Sequence, residues 1–210
     1  MDTTLQRLIE AIKKLEQELA QEIQKKQSEY SYKIQGKRIR FDSEIRRQHK
    51  LIATRVSRYL KDADLLNILT IPFIWSCLIP ALFLDAFVSL FQAACFPIYK
   101  IPKVRRSDYI VIDRHALSYL NTIEKLNCIY CGYFNGLIAY IHEIAGRTEQ
   151  YWCPIKHARR TSGFHSRYSR FLEYGDAAGY RNELDKVRHA FEDLQTAEED
   201  AGQSQRQEGT

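Results

Sequence analysis

The chain has 210 residues, 31 of them Lys or Arg and 26 Asp or Glu, with a formal net charge of +5 at pH 7. This length predicts one or two domains, and so small a basic excess suits an anionic membrane surface at least as well as nucleic acid. The five cysteines are odd in number and two lie in an apolar run, which argues against a secreted disulfide framework. The N-terminus also lacks the apolar core of a secretory signal, so we expect a reducing, cytoplasmic setting.

The first segment, residues 4–26, is predicted to be an amphipathic helical arm. Its apolar residues follow a short heptad pattern at Leu5, Leu8, Ile12, Leu15 and Leu19. Such a seam is typical of self-association or docking to a partner. The alternative is a surface helix that packs on its own protein.

Residues 27–42 alternate weakly and contain a glycine, which favours an irregular link over a pair of short strands. Residues 43–61 return to helical spacing, with Ser43 as the predicted N-cap. This helix has a basic face, typical either of the headgroup layer or of a solvated surface. The basic residues are Arg46, Arg47, Lys50, Arg55 and Arg58.

The central stretch, Leu65 to Tyr99, has one acidic or basic residue, Asp85. As one straight helix its apolar residues would measure about 51 Å, whereas a hydrocarbon core is about 30 Å thick. Two membrane interpretations follow: a single span with the remainder at the surface, or a re-entrant hairpin that bends near Pro80. Basic residues flank both ends in similar number, which favours the hairpin slightly. A buried core hairpin of a soluble protein is the non-membrane alternative.

A polar stripe runs through this stretch. Asp85, Ser89 and Gln92 have the spacing i, i+4, i+7 and therefore share one side of a helix. We expect this side to face another helix or the headgroups.

The rest of the chain reads as a soluble, mainly α-helical region. We predict a short strand at 109–112, a helix that Asp113 caps and that runs to Leu126, and another over 135–150 with Asn135 as its cap. A polar helix follows at 183–199, and residues 200–210 have the composition of a disordered tail.

The sharpest motif is CIYCGY at 128–133, followed by WCPIKH at 152–157. Together they give the spacing C-x2-C-x21-C-x3-H, which predicts a closed, structural zinc site. Gly132 would permit the tight turn of a metal knuckle, and a helix starting near Pro154 would align the last two ligands. A thiol redox pair, an iron–sulfur cluster and uninvolved buried cysteines are the alternatives, and His115, His142 and His165 are substitute ligands. The predicted ligands are Cys128, Cys131, Cys153 and His157.

Basic and aromatic residues alternate after the cysteine cluster. This composition fits anionic lipid headgroups, nucleic-acid phosphates and bases, or a solvated loop. Because a membrane segment lies nearby, we expect anionic lipid rather than nucleic acid. The candidate residues are Lys156, Arg159, Arg160, Arg167 and Arg170.

The stretch from Tyr109 to Arg160 resembles an uncharacterised family of bacterial membrane-associated proteins. The likeness covers roughly residues 70–180, and CIYCGY and EQYWCPIKH are its specific part. The resemblance implies a bacterial origin and carries over no activity, cofactor or catalytic residue.

We therefore predict a mainly α fold in four sections: a helical arm (1–64), a membrane segment (65–99), a Cys/His domain (100–182) and a polar helix with a tail (183–210). The predicted function is a metal-binding scaffold or interaction protein, anchored in a bacterial inner membrane with its soluble domain in the cytoplasm. A membrane-associated enzyme that uses the Cys/His cluster and a tethered nucleic-acid binder are the alternatives.

Overall fold

A computed structural model describes residues 3–35, 38–159 and 162–194. These residues are mainly helical, as the sequence predicts. The chain divides into two compact units: Met1–Ala63 with Ile112–Ile129, and Asp64–Val111 with Tyr130–Thr210. The division differs from the four predicted sections, because the apolar stretch groups with the C-terminal part of the chain.

The first unit begins with helix α1 (Thr3–Glu29), which matches the predicted arm. Strands β1 (Tyr32–Gln35) and β2 (Arg38–Phe41) then form an antiparallel hairpin in which Tyr32 is opposite Phe41. The prediction of an irregular link is therefore wrong. The alternation of apolar and polar residues within 27–42 was the signal for these strands, because every second residue of a strand lies on the same face.

Two helices, α2 (Ser43–Ile52) and α3 (Val56–Lys61), replace the single helix predicted over 43–61. Extended backbone at Ala53 and Arg55 separates them. Asp42, not Ser43, is the N-cap residue of α2. Ring contacts connect the hairpin with α2 and with the 112–129 segment: Tyr32 with Phe41, Phe41 with His49, and His49 with Tyr119, at centroid distances of 5.8, 5.4 and 5.1 Å.

The second unit contains the apolar stretch as two consecutive helices, α4 (Leu65–Ser76) and α5 (Leu78–Tyr99). Only Cys77 lies between them, and its backbone is right-handed helical (φ −62°, ψ −20°). Pro80 explains the break between α4 and α5, since a proline has no N–H to donate to the carbonyl four residues earlier. The chain does not reverse direction here, so the re-entrant hairpin bending near Pro80 is not formed.

The remaining helices are α6 (Arg106–Tyr109), α7 (Thr122–Trp152) and α8 (Ala177–His189). The predicted strand at 109–112 is wrong, and α7 replaces the helices predicted from Asp113 to Leu126 and over 135–150. It begins at Asn121 with a capping box, in which the Asn121 side chain accepts from the Glu124 N–H at 3.0 Å and the Asn121 N–H donates to the Glu124 carboxylate at 2.8 Å.

The core of the second unit lies among α5, α7, the 101–104 segment and Phe191. Phe96, Leu137, Tyr140 and Ile144 are each at most 2% exposed. Since apolar burial is the main favourable term in folding, these residues set how α5 and α7 are held together. The predicted helix 183–199 starts earlier, at Ala177, and residues 195–199 and the predicted tail lie outside the described residues.

Candidate functional site

Helix α5 has one side that faces the protein. Its buried residues are Ala81, Asp85, Gln92 and Phe96, whose spacing of 4, 7 and 4 places them on one side of a helix. Asp85 and Gln92 are only 6% and 7% exposed. The predicted polar stripe is therefore a buried stripe, and it faces another helix, α7.

Asp85 is surrounded by hydrogen-bond donors. One carboxylate oxygen accepts from Arg106 Nη1 at 2.5 Å and from the Ser89 hydroxyl at 3.3 Å. The other accepts from the Tyr133 hydroxyl at 2.8 Å. Burial, followed by the hydrogen bond to Asp85, raises the pKa of Tyr133, so its proton stays available for this bond. A carboxylate that would be costly alone in an apolar environment is thus paired and hydrogen-bonded.

Gln92 makes the second polar connection of the stripe. Its amide nitrogen lies 2.9 Å from the Tyr140 hydroxyl and 3.3 Å from the Val104 carbonyl, and its amide oxygen accepts from the Val104 N–H at 2.5 Å. Asp85 contacts Tyr133, and Gln92, seven residues later on α5, contacts Tyr140, seven residues later on α7. The two helices therefore run side by side in the same direction.

Two glycines of α7 allow a close approach by the backbone at 109–111. A Cβ on Gly136 would lie 2.6 Å from the Tyr109 carbonyl oxygen, and one on Gly132 would lie 3.2 Å from that of Val111. Both glycines are inside a regular helix. The predicted metal-knuckle role of Gly132 is therefore wrong. A glycine is favoured at this position because the backbone at Val111 packs closely against α7.

The opposite side of α5 and most of α4 carry large apolar side chains that the protein leaves uncovered. Near the end of α4, Trp75 packs on Tyr130 at a ring-centroid distance of 5.1 Å, and the Tyr130 hydroxyl donates to the Ile74 carbonyl at 2.8 Å. Helix α4 has no buried residue. Over its most apolar 18 residues, the Leu65–Tyr99 stretch has a mean hydropathy of 2.0 and is 11% buried. It is the one candidate membrane span among the described residues. The exposed large apolar residues are Leu65, Leu66, Ile68, Leu69, Ile71, Phe73, Ile74, Ile79, Leu82, Phe83, Leu84, Phe87, Leu90 and Ile98. We call this set the apolar surface.

The structure does not bring the predicted zinc ligands together. Helix α7 runs without a break from Thr122 to Trp152, and the Cys153 N–H still donates to the Glu149 carbonyl at 2.8 Å. At about 1.5 Å per residue, Cys131 and Cys153 are separated by about 33 Å along the axis, whereas the ligand atoms of one zinc lie within about 4 Å of each other.

The described residues contain no group of three or more His, Cys, Asp or Glu side chains that could hold a metal ion. Cys128 and Cys131 are three residues apart on α7. Pro154 is buried and begins no helix, so the alignment predicted for Cys153 and His157 is also not formed. The four-ligand site in one chain is thus not supported by this arrangement.

The basic residues after the cysteine cluster are used largely within the protein. Arg167 is 1% exposed and donates to both carboxylate oxygens of Asp193, at 2.7 and 3.2 Å, and to the Gln150 side chain at 2.5 Å. Burial alone would raise the pKa of Asp193, but the hydrogen bond and charge of Arg167 outweigh it and lower that pKa. Arg167 cannot reach a lipid headgroup in this structure, and that part of the prediction is wrong.

The neighbouring basic residues differ in their availability. Arg170 pairs with Asp193 at 3.1 Å and Lys156 pairs with Glu173. Arg159 is exposed, and Arg160 lies outside the described residues. The anionic-surface role predicted for this set therefore depends on fewer free cations than the sequence suggests.

Helix α7 also carries a buried polar cluster that was not predicted from the sequence. Glu143 and Arg147 are both buried and pair at 2.9 Å, and the Ser166 hydroxyl lies 2.8 and 3.0 Å from the two Glu143 oxygens. The Arg147 guanidinium also donates to the Pro102 carbonyl at 2.9 Å. The i, i+4, i+7 spacing of Glu143, Arg147 and Gln150 could have shown it, since it repeats the pattern of the α5 stripe.

Two of the substitute metal ligands lie beside this cluster. His165 is 3.0 Å from a Glu149 carboxylate oxygen, and its ring centroid is 5.8 Å from that of His142. Burial is the main cause that lowers the pKa of His165, against the opposing effect of Glu149. A Cβ on Gly146 would lie 2.5 Å from the His165 ring, so the glycine makes room for it. His115 lies in a short 3-10 turn of the first unit.

Comparison of the chain with family models, with curated proteins and with solved structures found no match. The resemblance to a bacterial membrane-associated family remains a prediction.

Proposed function

We propose that this protein is a monotopic membrane protein, attached through the apolar surface of α4 and α5, that serves as an anchored interaction module. The observation that carries the proposal is the contrast within the 65–99 stretch: Asp85 and Gln92 are buried against the protein, whereas fourteen large apolar side chains remain uncovered. Uncovered apolar areas of this extent are typical of membrane or protein interaction sites.

The two hydroxyl groups of α4 are compatible with an apolar environment, because each donates to a carbonyl of its own helix. The Thr70 hydroxyl donates to the Asn67 carbonyl at 2.8 Å, and the Ser76 hydroxyl donates to the Phe73 carbonyl at 2.7 Å. A helix also satisfies its own backbone groups, as hydrocarbon requires. Asp64, at the start of α4, caps the helix by accepting from the Leu66 N–H at 3.1 Å.

Contacts along α5 favour attachment on one side of the membrane over a crossing. They run from Asp85 with Tyr133, through Gln92 with Tyr140, to a ring contact of Tyr99 with Tyr151 at 4.9 Å. A crossing by α5 would carry these covering segments, including Arg106, into hydrocarbon, where a charge costs at least roughly 2.5–3.5 kcal/mol. The helical stretch before Ala81, the first buried residue of α5, runs from Leu65 to Pro80; it is about 24 Å long and is too short to cross a 30 Å core alone.

The interaction role rests on the N-terminal arm. Leu15 and Leu19 belong to the heptad pattern of α1 and are 64% and 62% exposed, and Ile23 is 45% exposed. A two-turn apolar seam of this kind is suited to another helix, including that of a second copy.

Within the second unit, three buried or partly buried charged groups have internal partners: Glu143, Asp85 and Arg167. This pairing supports a structural use of these groups over a catalytic one.

Two measurements on the full chain test the attachment. Sodium carbonate washing of membranes should leave the protein in the pellet, because the apolar surface does not depend on charge. Asp62→Cys and Ser107→Cys, each placed in a background without the native cysteines, should then react with a membrane-impermeant maleimide on the same side of sealed vesicles. Release by carbonate would reject insertion, and labelling from opposite sides would reject the monotopic arrangement in favour of one crossing.

A further inference from the structure

The first unit contains a groove of about 660 Å³ whose charged lining is entirely basic. Its walls come from α2 and from the 112–129 segment, and a second groove of about 370 Å³ shares two of its residues, Arg46 and Ser118, and adds Arg40. We call the first one the basic groove; its lining residues are Ser43, Arg46, Arg47, Lys50, Leu51 and Ser118.

The cations of the basic groove have no carboxylate partner among the described residues. Some cations on other helices do form pairs at i, i+3 or i, i+4, such as Lys25 with Glu22 at 3.2 Å and Arg188 with Asp185 at 3.2 Å. Glu44 is three residues from Arg47 and could pair with it, yet no ion pair joins them within 4.0 Å. The groove cations thus stay available to a ligand.

The spacing of these cations adds a local repulsion that an anion would relieve. Arg46 and Lys50 are i, i+4, and Arg47 and Lys50 are i, i+3, so like charges neighbour each other on one side of α2. Two guanidinium groups present planar forks of N–H donors that match phosphate oxygens. The hydroxyls of Ser43 and Ser118 in the same lining supply further donors.

We propose that the basic groove binds the phosphate of an anionic lipid headgroup, with Arg46, Arg47 and Lys50 as its cationic contacts. Apolar residues favour a lipid source over a soluble phosphate ester: Leu51 lines the groove at 80% exposed, and Ile52 next to it is 73% exposed. The chain length also favours lipid, because only residues 53–64 separate α2 from α4, a distance of at most about 45 Å even when extended. This inference rests on the proposed membrane attachment.

Binding of the full-length protein to vesicles of stated composition tests the proposal. Binding to neutral phosphatidylcholine vesicles measures the contribution of the apolar surface alone. Binding to vesicles that also contain phosphatidic acid measures the additional contribution of a phosphate monoester headgroup. The variant Arg46→Gln/Arg47→Gln/Lys50→Gln should keep its binding to neutral vesicles and lose the preference for phosphatidic acid by on the order of 100-fold near 0.1 M salt, as three basic contacts predict.

A matched control removes the same charge from Arg55, just before α3, and from α3 itself: Arg55→Gln/Arg58→Gln/Lys61→Gln. It should lose about 10-fold less than the groove variant, since these residues do not line the groove and only general attraction is lost without the forked phosphate contacts. Equal losses in both variants, or none in either, would overturn the site and leave only general attraction. Glycerol phosphate that binds detergent-solubilised protein as tightly as the lipid does would overturn the lipid source. Failure to bind neutral vesicles would reject the membrane proposal separately.

Discussion

The two sides of helix α5 have opposite chemistry over the same residues. On one side, Asp85 and Gln92 are buried, and their polar contacts are made by Arg106, the Ser89 hydroxyl, two tyrosine hydroxyls and the Val104 backbone. On the other, Phe83 and Phe87 are 63% and 68% exposed. The average hydropathy of the stretch conceals this difference. It teaches that the two sides of α5 suit different surroundings, because a lipid-surrounded span or a core helix would have only one of these sides.

The largest expected effect concerns the exposed side. Phe83→Asp together with Phe87→Asp should weaken membrane binding by on the order of 5 kcal/mol, since two large apolar groups are lost and two charges meet the bilayer. Vesicle flotation measures the change. The thermal unfolding of the variant in detergent should match that of the wild type, because neither side chain belongs to the core.

Ile138→Asp provides the matched control, since Ile138 is 55% exposed on α7 and lies outside the apolar surface. This variant should float with vesicles as the wild type does. If it is released as readily as the double variant, the apolar surface is not what holds the protein in the membrane.

A smaller effect, on stability, is expected from the buried side. Gln92→Ala would leave the Val104 N–H, the Val104 carbonyl and the Tyr140 hydroxyl without their partner. Unpaired buried groups of this kind cost about 1–3 kcal/mol each, and partial relaxation suggests a total of about 2–4 kcal/mol. Chemical denaturation in detergent measures it, with Ser89→Ala as the control, because Ser89 makes one long hydrogen bond of 3.3 Å to Asp85. Equal stability of both variants would contradict a tightly paired stripe.

The smallest effect is expected at Cys153, and it tests the continuity of α7 on which the buried side depends. Cys153 is exposed, so Cys153→Ser should change the free energy of unfolding by less than about 0.5 kcal/mol. Zinc in the purified wild type should be well below one ion per chain, because α7 separates Cys131 from Cys153. If the wild type contains one zinc per chain and Cys153→Ser loses it, α7 must be broken between Cys131 and Cys153. The contacts of α7 with the buried side of α5 would then also be lost.

Local patterns predicted the elements whose own residues determine them. The heptad spacing of 4–26 is found as α1, and the long apolar run is found as a helical stretch from Leu65 to Tyr99. The stripe of Asp85, Ser89 and Gln92 was also visible, because three positions on one helix side follow from spacing alone. Its partners, Tyr133, Tyr140 and Arg106, come from segments far along the chain, and their identity depends on how α7 and the 101–111 segment pack.

The cysteine motif shows where spacing stops being informative. C-x2-C followed by C-x3-H is compatible with zinc only if the intervening residues fold back, and here a capping box at Asn121 and a continuous helix keep them extended. In the same way, a basic residue looks alike in sequence whether it faces solvent or a carboxylate. Arg167 is an internal partner of Asp193, whereas Arg46, Arg47 and Lys50 have no carboxylate partner within the part of the chain that the structure describes.

Composition and periodicity thus decided which segments are helical and that residues 65–99 are too apolar for an ordinary surface, because hydrophobic spacing is a property of the local chain. Tertiary structure alone decided which side of α5 is covered and which basic residues are paired inside the protein. These depend on contacts between residues distant in the chain, such as Gln92 with Tyr140 and Arg167 with Asp193, and such contacts are set by the packing of whole helices.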